Sequence, residues 1–187
     1  VRDGGAGESG RLLWRVQGNF YGPRRQELLV VALAILQRRK RERVARMRVE
    51  LIGSMPDEFC NSSALRALPH DVVHVLTPVD YRPSLLLMRS ADLLLNIDAP
   101  FKNGVFLPSK LVDYIGAERP VLGISPPGTA SRVIRSFGGW VIEPDNPEAI
   151  AATLETALVH IERQRGVPWG DPEVQRAYAA STVSEQF

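Results

Sequence analysis

The chain has 187 residues, 44% of them hydrophobic and 24% charged, with a formal net charge of +2. That suffices for one sizeable domain and falls short of two, and it excludes a chain built around attraction to polyanions. A single cysteine excludes a disulfide framework or a cysteine-built zinc site, and no apolar run reaches the roughly 18 to 20 residues that span a bilayer.

Residues 1–10 (VRDGGAGESG) read as linker. Gly5, Gly7 and Gly10 fit G-x-G-x-x-G, but no strand precedes them and a strand, not a helix, follows, so the fingerprint is rejected. Strand and helix patterns then alternate. Strands are expected over 12–17, 48–52, 72–76, 93–97, 121–124 and 140–143. Helices are expected over 26–46, 62–68, 83–90, 110–117, 130–137 and 147–163, with a last one in 172–187. Asn146 followed by Pro147 is an N-cap with proline at the first helical position. The strand 93–97 (LLLNI) lacks a polar face, which marks burial on both sides. The start on Val1 and the stop at Phe187, inside a helical pattern, lead to the expectation of a piece of a longer protein.

Six short strands, each followed by a helix, specify an α/β fold: a doubly wound, Rossmann-like parallel sheet. Such sheets bind ligands beyond the C-terminal ends of their strands, at the point where strand order reverses. The loops 18–25, 53–58, 77–82 and 98–109 therefore carry the functional candidates. In the first, Gly18 and Asn19 open a turn that delivers Arg24 and Arg25 to a helix start. They read either as phosphate ligands or as solvated charges. The loop 98–109 is long for an α/β connection. It ends at Ser109, a plausible N-cap, followed by Lys110; together with the first-turn N–H groups they would make an anion pocket. Asp113 lies one turn further along the same face, where a carboxylate suits a ribose diol; the plain alternative is a solvated Lys and Asp on an amphipathic helix.

Other features take the plainer reading. Cys60 is expected as a small buried hydrophobe, and His70, His74 and His160 lack metal-ligand spacing. The basic run from Arg38 to Arg43, with Arg46 and Arg48, is expected to be a solvated face at a helix C-terminus. Trp140 and Trp169 are expected to be packing residues. Gly128 and Thr129 either line a ligand pocket or only turn the chain.

The stretch from Phe106 to Ile124 (FLPSKLVDYIGAERPVLGI) closely resembles the donor-binding segment of family 4 glycosyltransferases. Residues 18–36, 49–53, 90–95 and 138–150 resemble the family's flanking segments in matching order, so the resemblance spans about 12–163. It implies the C-terminal half of a two-domain GT-B enzyme: a retaining transferase of carbohydrate or polysaccharide biosynthesis whose residues 11–170 bind a nucleotide-diphospho-sugar. The acceptor would sit on an N-terminal domain outside this chain, so the fragment alone would be inactive. Residues 171–187 would begin a crossing toward that domain. The resemblance implies no metal and no cofactor. Arg24 or Arg25 and Lys110 then become the catalytic cations that stabilise the departing diphosphate. Gly18, Asn19 and Gly53 join the donor-binding set. The base would lie near residues 77–81, with Tyr81 stacking on it or the Val79 backbone reading it.

The family's Glu-x7-Glu motif is altered. Its second position falls on Asp113, a conservative change, and its first on Val105, whose side chain cannot hydrogen-bond. Asp98, Lys102 and Asn103 are nearby substitutes, and the backbone N–H groups of Gly104, Val105, Phe106 and Leu107 could face sugar or phosphate. Two further readings stay open: a non-catalytic doubly wound nucleotide-binding or regulatory module, to which Val105 points, and half of a GT-B-like nucleotide-sugar epimerase. A nucleic-acid partner would rest on the arginine cluster alone and is not expected. The expected setting is cytoplasmic, with contact to the membrane periphery left open.

Overall fold

The computed structural model describes residues 10–20, 24–101 and 107–178. Six strands, β1 (Leu12–Gln17), β2 (Met47–Ile52), β3 (Val73–Leu76), β4 (Leu93–Ile97), β5 (Val121–Ile124) and β6 (Trp140–Ile142), form one sheet in the order β3-β2-β1-β4-β5-β6. Every neighbouring pair is parallel. This is the doubly wound, Rossmann-like sheet, and its order reverses between β1 and β4.

The helices are α1 (Gln26–Arg39), α2 (Arg41–Val44), α3 (Asp57–Cys60), α4 (Ser63–Arg66), α5 (Tyr81–Arg89), α6 (Ser109–Gly116), α7 (Thr129–Ser136), α8 (Pro147–Gln164) and α9 (Pro172–Ala177). Strand periodicity divides the core in two. Leu93, Leu95 and Ile97 of β4 join a cluster with the apolar faces of α1 and α8. Leu94, between them, joins the cluster made by Met88 of α5, Leu111, Tyr114 and Ile115 of α6, and Val133 and Ile134 of α7. Both faces of β4 are thus covered, which is why its sequence shows no alternation.

The expected helix 26–46 is two. It breaks at Lys40, whose φ of −143° and ψ of 57° are not helical, and α2 is a single turn. The arginines around this break are not all left to solvent. Glu148, Glu155 and Glu162 stand seven residues apart on α8 and meet Arg39, Arg43 and Arg46 at 2.8, 3.3 and 3.0 Å. The first two pairs are open to solvent, and pairs of that kind fix register more than they stabilise, each contributing about 0–1 kcal/mol; Glu162 is mostly buried. A stronger link is buried: Glu50 on β2 accepts from Arg15 of β1, its register partner, at 2.6 Å and from Arg48 at 2.9 Å.

Cys60 is exposed, against expectation. It ends the one-turn α3, where Phe59 takes the buried position. Trp140 and Trp169 pack as expected, with ring centroids 5.2 Å apart and His160 edge-on to both. Asn146 caps α8 by accepting from the N–H groups of Glu148 and Ala149. No helix among the described residues is long and apolar enough to cross a membrane.

Candidate functional site

At the reversal point, the ladder between β1 and β4 ends with the pair Val16–Leu95. The Tyr114 hydroxyl, from α6, spans the opening beyond it. It accepts from the Gln17 N–H at 3.0 Å and donates to the Leu95 carbonyl at 3.4 Å. Burial pushes this phenol well above its ordinary range, so it stays protonated and able to donate. One side chain, from the second half of α6, therefore ties that helix to the C-terminal ends of both diverging strands.

Above this tie lies a cleft of about 500 Å³. Its walls come from the ends of β1 and β4, the loops after them, the start of α6, and the Pro126–Gly128 turn into α7. That volume suits a nucleotide-sized ligand.

The cationic side of the cleft combines three features. Arg24 lines it, and its Nη1 donates to the Asn19 carbonyl at 2.7 Å, which holds the first loop against the side chain. Lys110 lies across Gly18: a Cβ built on the glycine would stand 3.8 Å from the lysine's Cδ and Cε. Among the described residues the Lys110 ammonium makes no hydrogen bond or ion pair. The first turn of α6 begins with Ser109 and Lys110. Its N-cap is Pro108 rather than the expected Ser109, and no side chain caps it. The early N–H groups of α6 are therefore not taken by a capping side chain, and they carry the positive end of the helix dipole.

The opposite chemistry sits at the end of β4. Asp98 lines the cleft, and its Oδ2 accepts from Ser125 Oγ at 2.6 Å and Asn96 Nδ2 at 3.0 Å. Gln17, 6% exposed, also lines the cleft, and its buried Oε1 has no hydrogen-bond partner among the described residues.

Of the residues singled out by sequence, Gly18, Asn19, Arg24, Asp98, Ser109 and Lys110 meet at this cleft, as does Gly128. Arg25 does not: it is the exposed residue preceding α1. Gly53 stands behind the lining, against the Gly18 backbone. Leu107 packs on the core cluster beneath α6. Asn103, Gly104, Val105 and Phe106 lie outside the described residues, as does Lys102.

Val79, Tyr81 and Asp113 all lie outside the cleft lining, and Tyr81 and Asp113 pair with each other there. Tyr81 was expected in a loop but opens α5, because Pro83 falls in the first turn, where a missing N–H costs nothing. Its hydroxyl donates to Asp113 Oδ1 at 3.1 Å. That hydrogen bond, with the carboxylate charge behind it, raises the Tyr81 pKa. Val79 is exposed close by in sequence.

Sequence reasoning missed Gln17, Asn96, Tyr114, Ser125 and Phe101, an exposed aromatic at the cleft. Asn96 was visible in principle, as the lone polar residue of an apolar strand.

No family model matches the sequence, and no curated protein matches it. Solved structures do match in fold. WaaG, a glycosyltransferase involved in lipopolysaccharide biosynthesis, aligns at 21% identity with a TM-score of 0.62, covering 94% of this chain and 42% of WaaG. HepE of Anabaena, in complex with UDP-glucose, aligns at 15% identity and TM-score 0.60, covering 95% of this chain and 50% of HepE. The catalytic domain of the Helicobacter pylori cholesterol-α-glucosyltransferase aligns at 17% identity and TM-score 0.61, covering 93% of this chain and 98% of that domain. The chain has the fold of a GT-B glycosyltransferase C-terminal domain.

At these identities the likeness is one of fold. The chain spans half or less of the length of WaaG and HepE. Among its described residues, no three His, Cys, Asp or Glu side chains stand together as a metal-ligand group.

Proposed function

We propose that this GT-B domain binds a nucleotide-diphospho-sugar, the donor for a retaining, metal-independent glycosyl transfer. The observation that carries the reading is the two-sided cleft at the strand reversal. Arg24, Lys110 and the uncapped start of α6 supply positive charge and N–H donors, while Asp98 supplies an acceptor. Diphosphate fits the first and a polyol the second. As the glycosidic bond breaks, negative charge grows on the departing diphosphate, and fixed cations and N–H groups stabilise that charge where it develops.

The nucleoside would run from the cleft toward Asp113 and Tyr81, where a carboxylate can take ribose hydroxyls. HepE, of the same fold, is seen with UDP-glucose, which makes the uridine series the first to try. The acceptor is held by an N-terminal domain in the full-length protein, and the domain alone does not complete transfer. Its setting is cytoplasmic.

A thermal-shift screen against UDP, GDP, ADP and their common sugar conjugates, with and without EDTA, tests this. Ligand at 100 times its dissociation constant stabilises by about 2.7 kcal/mol, a clear rise in melting temperature. The expected result is a rise with one base, insensitive to EDTA and reduced in Lys110→Ala. A folded sample that responds to no nucleotide would overturn the donor-site reading. The replacement of the motif's first Glu by Val105 supports a second reading, a domain that binds the donor without transferring it. Full-length protein that binds donor yet neither transfers nor hydrolyses it would favour that version.

A further inference from the structure

We propose that Asn96, Asp98 and Ser125 form a sugar-reading wall, built to accept a hydroxyl proton from a neutral sugar and to reject a sugar bearing a carboxylate; the proposal rests on the donor-site reading above. Asn96 is the one polar residue of β4 and only 7% exposed. A buried amide in an apolar strand is costly unless its hydrogen bonds are made. Asn96 and Asp98 are two residues apart at the end of the strand, so their side chains leave on one face. Both line the cleft, and fully buried Ser125, just past β5, backs them.

The bonds of this cluster decide what it presents to a ligand. Asn96 Nδ2 donates to Asp98 Oδ2 at 3.0 Å and to Ser125 Oγ at 3.2 Å. Ser125 Oγ donates its only proton to the same Oδ2 at 2.6 Å. The two amide N–H groups and the one hydroxyl proton are then all spent inside the cluster. Asp98 Oδ1 has no hydrogen-bond partner among the described residues. The wall therefore offers acceptors and no donors, with its carboxylate held in one orientation.

A sugar hydroxyl is the matching partner, and its bond to an ionised carboxylate is of the strong, charge-assisted kind. A uronate carboxylate meets a like charge there and finds no proton to accept. The diphosphate is repelled for the same reason and is left to Lys110 and Arg24, which fixes the direction in which the donor lies.

The test is calorimetric titration of the full chain, wild type and variants, with UDP, UDP-glucose and UDP-glucuronate. The GDP, GDP-mannose and GDP-mannuronate series serves if guanosine is the base, and ADP with ADP-glucose serves the variant arm if adenosine is. Wild type should take the neutral sugar nucleotide at least about tenfold more tightly than the uronate, the yield of one charge-assisted bond. Asp98→Asn keeps its acceptor toward Ser125 and turns an NH2 to the cleft. It should weaken the neutral conjugate about tenfold, narrow the gap to the uronate and, by removing a like charge, leave the bare diphosphate bound at least as tightly as in wild type. Ser125→Ala should weaken the neutral conjugate with the bare diphosphate unaffected, and Ser125→Thr should restore it. If Asp98→Asn moves diphosphate and conjugate equally, or wild type takes the uronate as readily, the sugar wall falls and the donor site stands. If no nucleotide binds the folded protein, both fall together.

Discussion

Lys110 rests on Gly18, its Cδ and Cε 3.8 Å from where a Cβ on the glycine would stand. Even a Cβ would meet the lysine stem only at ordinary van der Waals distance, so the stem passes the end of β1 without crowding, and what calls for glycine at position 18 is its φ of +152°. The lysine ammonium is carried to the cleft without a carboxylate partner among the described residues. Lys110→Ala keeps a good helix former in the first turn of α6, so stability should stay within about 0.5 kcal/mol of wild type. Loss of a charged donor to phosphate should weaken the bound nucleoside diphosphate by about 1.5–3 kcal/mol, roughly 10- to 150-fold. Calorimetric titration beside urea denaturation separates the two effects. Unchanged affinity in a stable variant would remove Lys110 from the site.

Gly53 holds that arrangement from behind. A Cβ there would lie 1.7 Å from the Gly18 carbonyl oxygen and 2.7 Å from its carbon, both backbone atoms that cannot swing away. The glycine also has φ +147°, a conformation L residues rarely adopt. Gly53→Ala should therefore cost roughly 2–4 kcal/mol, strain and overpacking together. It should push the first loop out of register with Lys110. Urea denaturation measures the first effect. Nucleotide affinity, measured where the variant is still folded, reads the second.

The Tyr114 hydroxyl makes a separate prediction, since it touches strand backbone rather than ligand. Tyr114→Phe leaves the ring in place and strips a partner from the Gln17 N–H and the Leu95 carbonyl, both at the buried strand split. Orphaning buried backbone groups costs about 1–3 kcal/mol. Denaturation should show that loss. Should stability not change, the hydroxyl is not what closes the opening between β1 and β4.

Much of this molecule was legible in its sequence, and the limits have physical causes. Strands β1, β4 and β5 were expected at their observed bounds, because Leu12–Gln17, Leu93–Ile97 and Val121–Ile124 are short, mainly apolar stretches each opened by a charged residue or proline, at Arg11, Asp92 and Pro120. The break at Lys40 was not, since the residues around it suit a helix well and only its backbone angles show the interruption. The cationic side of the site was legible because helix starts and their basic residues are local features. The acceptor side was only half legible. Asp98 stood out in its loop, but Ser125 lies 27 residues away and reaches it only through the β4–β5 pairing. Tyr114 was hidden for the same reason: its partners come from two other strands.

Tyr81 and Asp113 allow a test that needs no activity. The phenol donates to Asp113 Oδ1, and ionising it would place two negative charges side by side. The Tyr81 pKa is therefore raised, first by that hydrogen bond and then by the carboxylate's charge. A group whose folded pKa is raised stabilises fully below its unfolded value, here about 10 for a phenol, and loses that contribution as pH rises through the higher folded value. Ultraviolet titration should show Tyr81, identified by its absence in Tyr81→Phe, ionising above the ordinary tyrosine range. Asp113→Asn removes the charge while keeping an acceptor, so the titration should move back toward that range. The ligand adds a second arm. If ribose hydroxyls bond to Asp113, part of the carboxylate's charge is satisfied by them, and saturating nucleoside diphosphate should shift the same titration. A Tyr81 that ionises identically with and without bound nucleotide would place the ribose away from Asp113 and confine the donor to the cleft under Lys110.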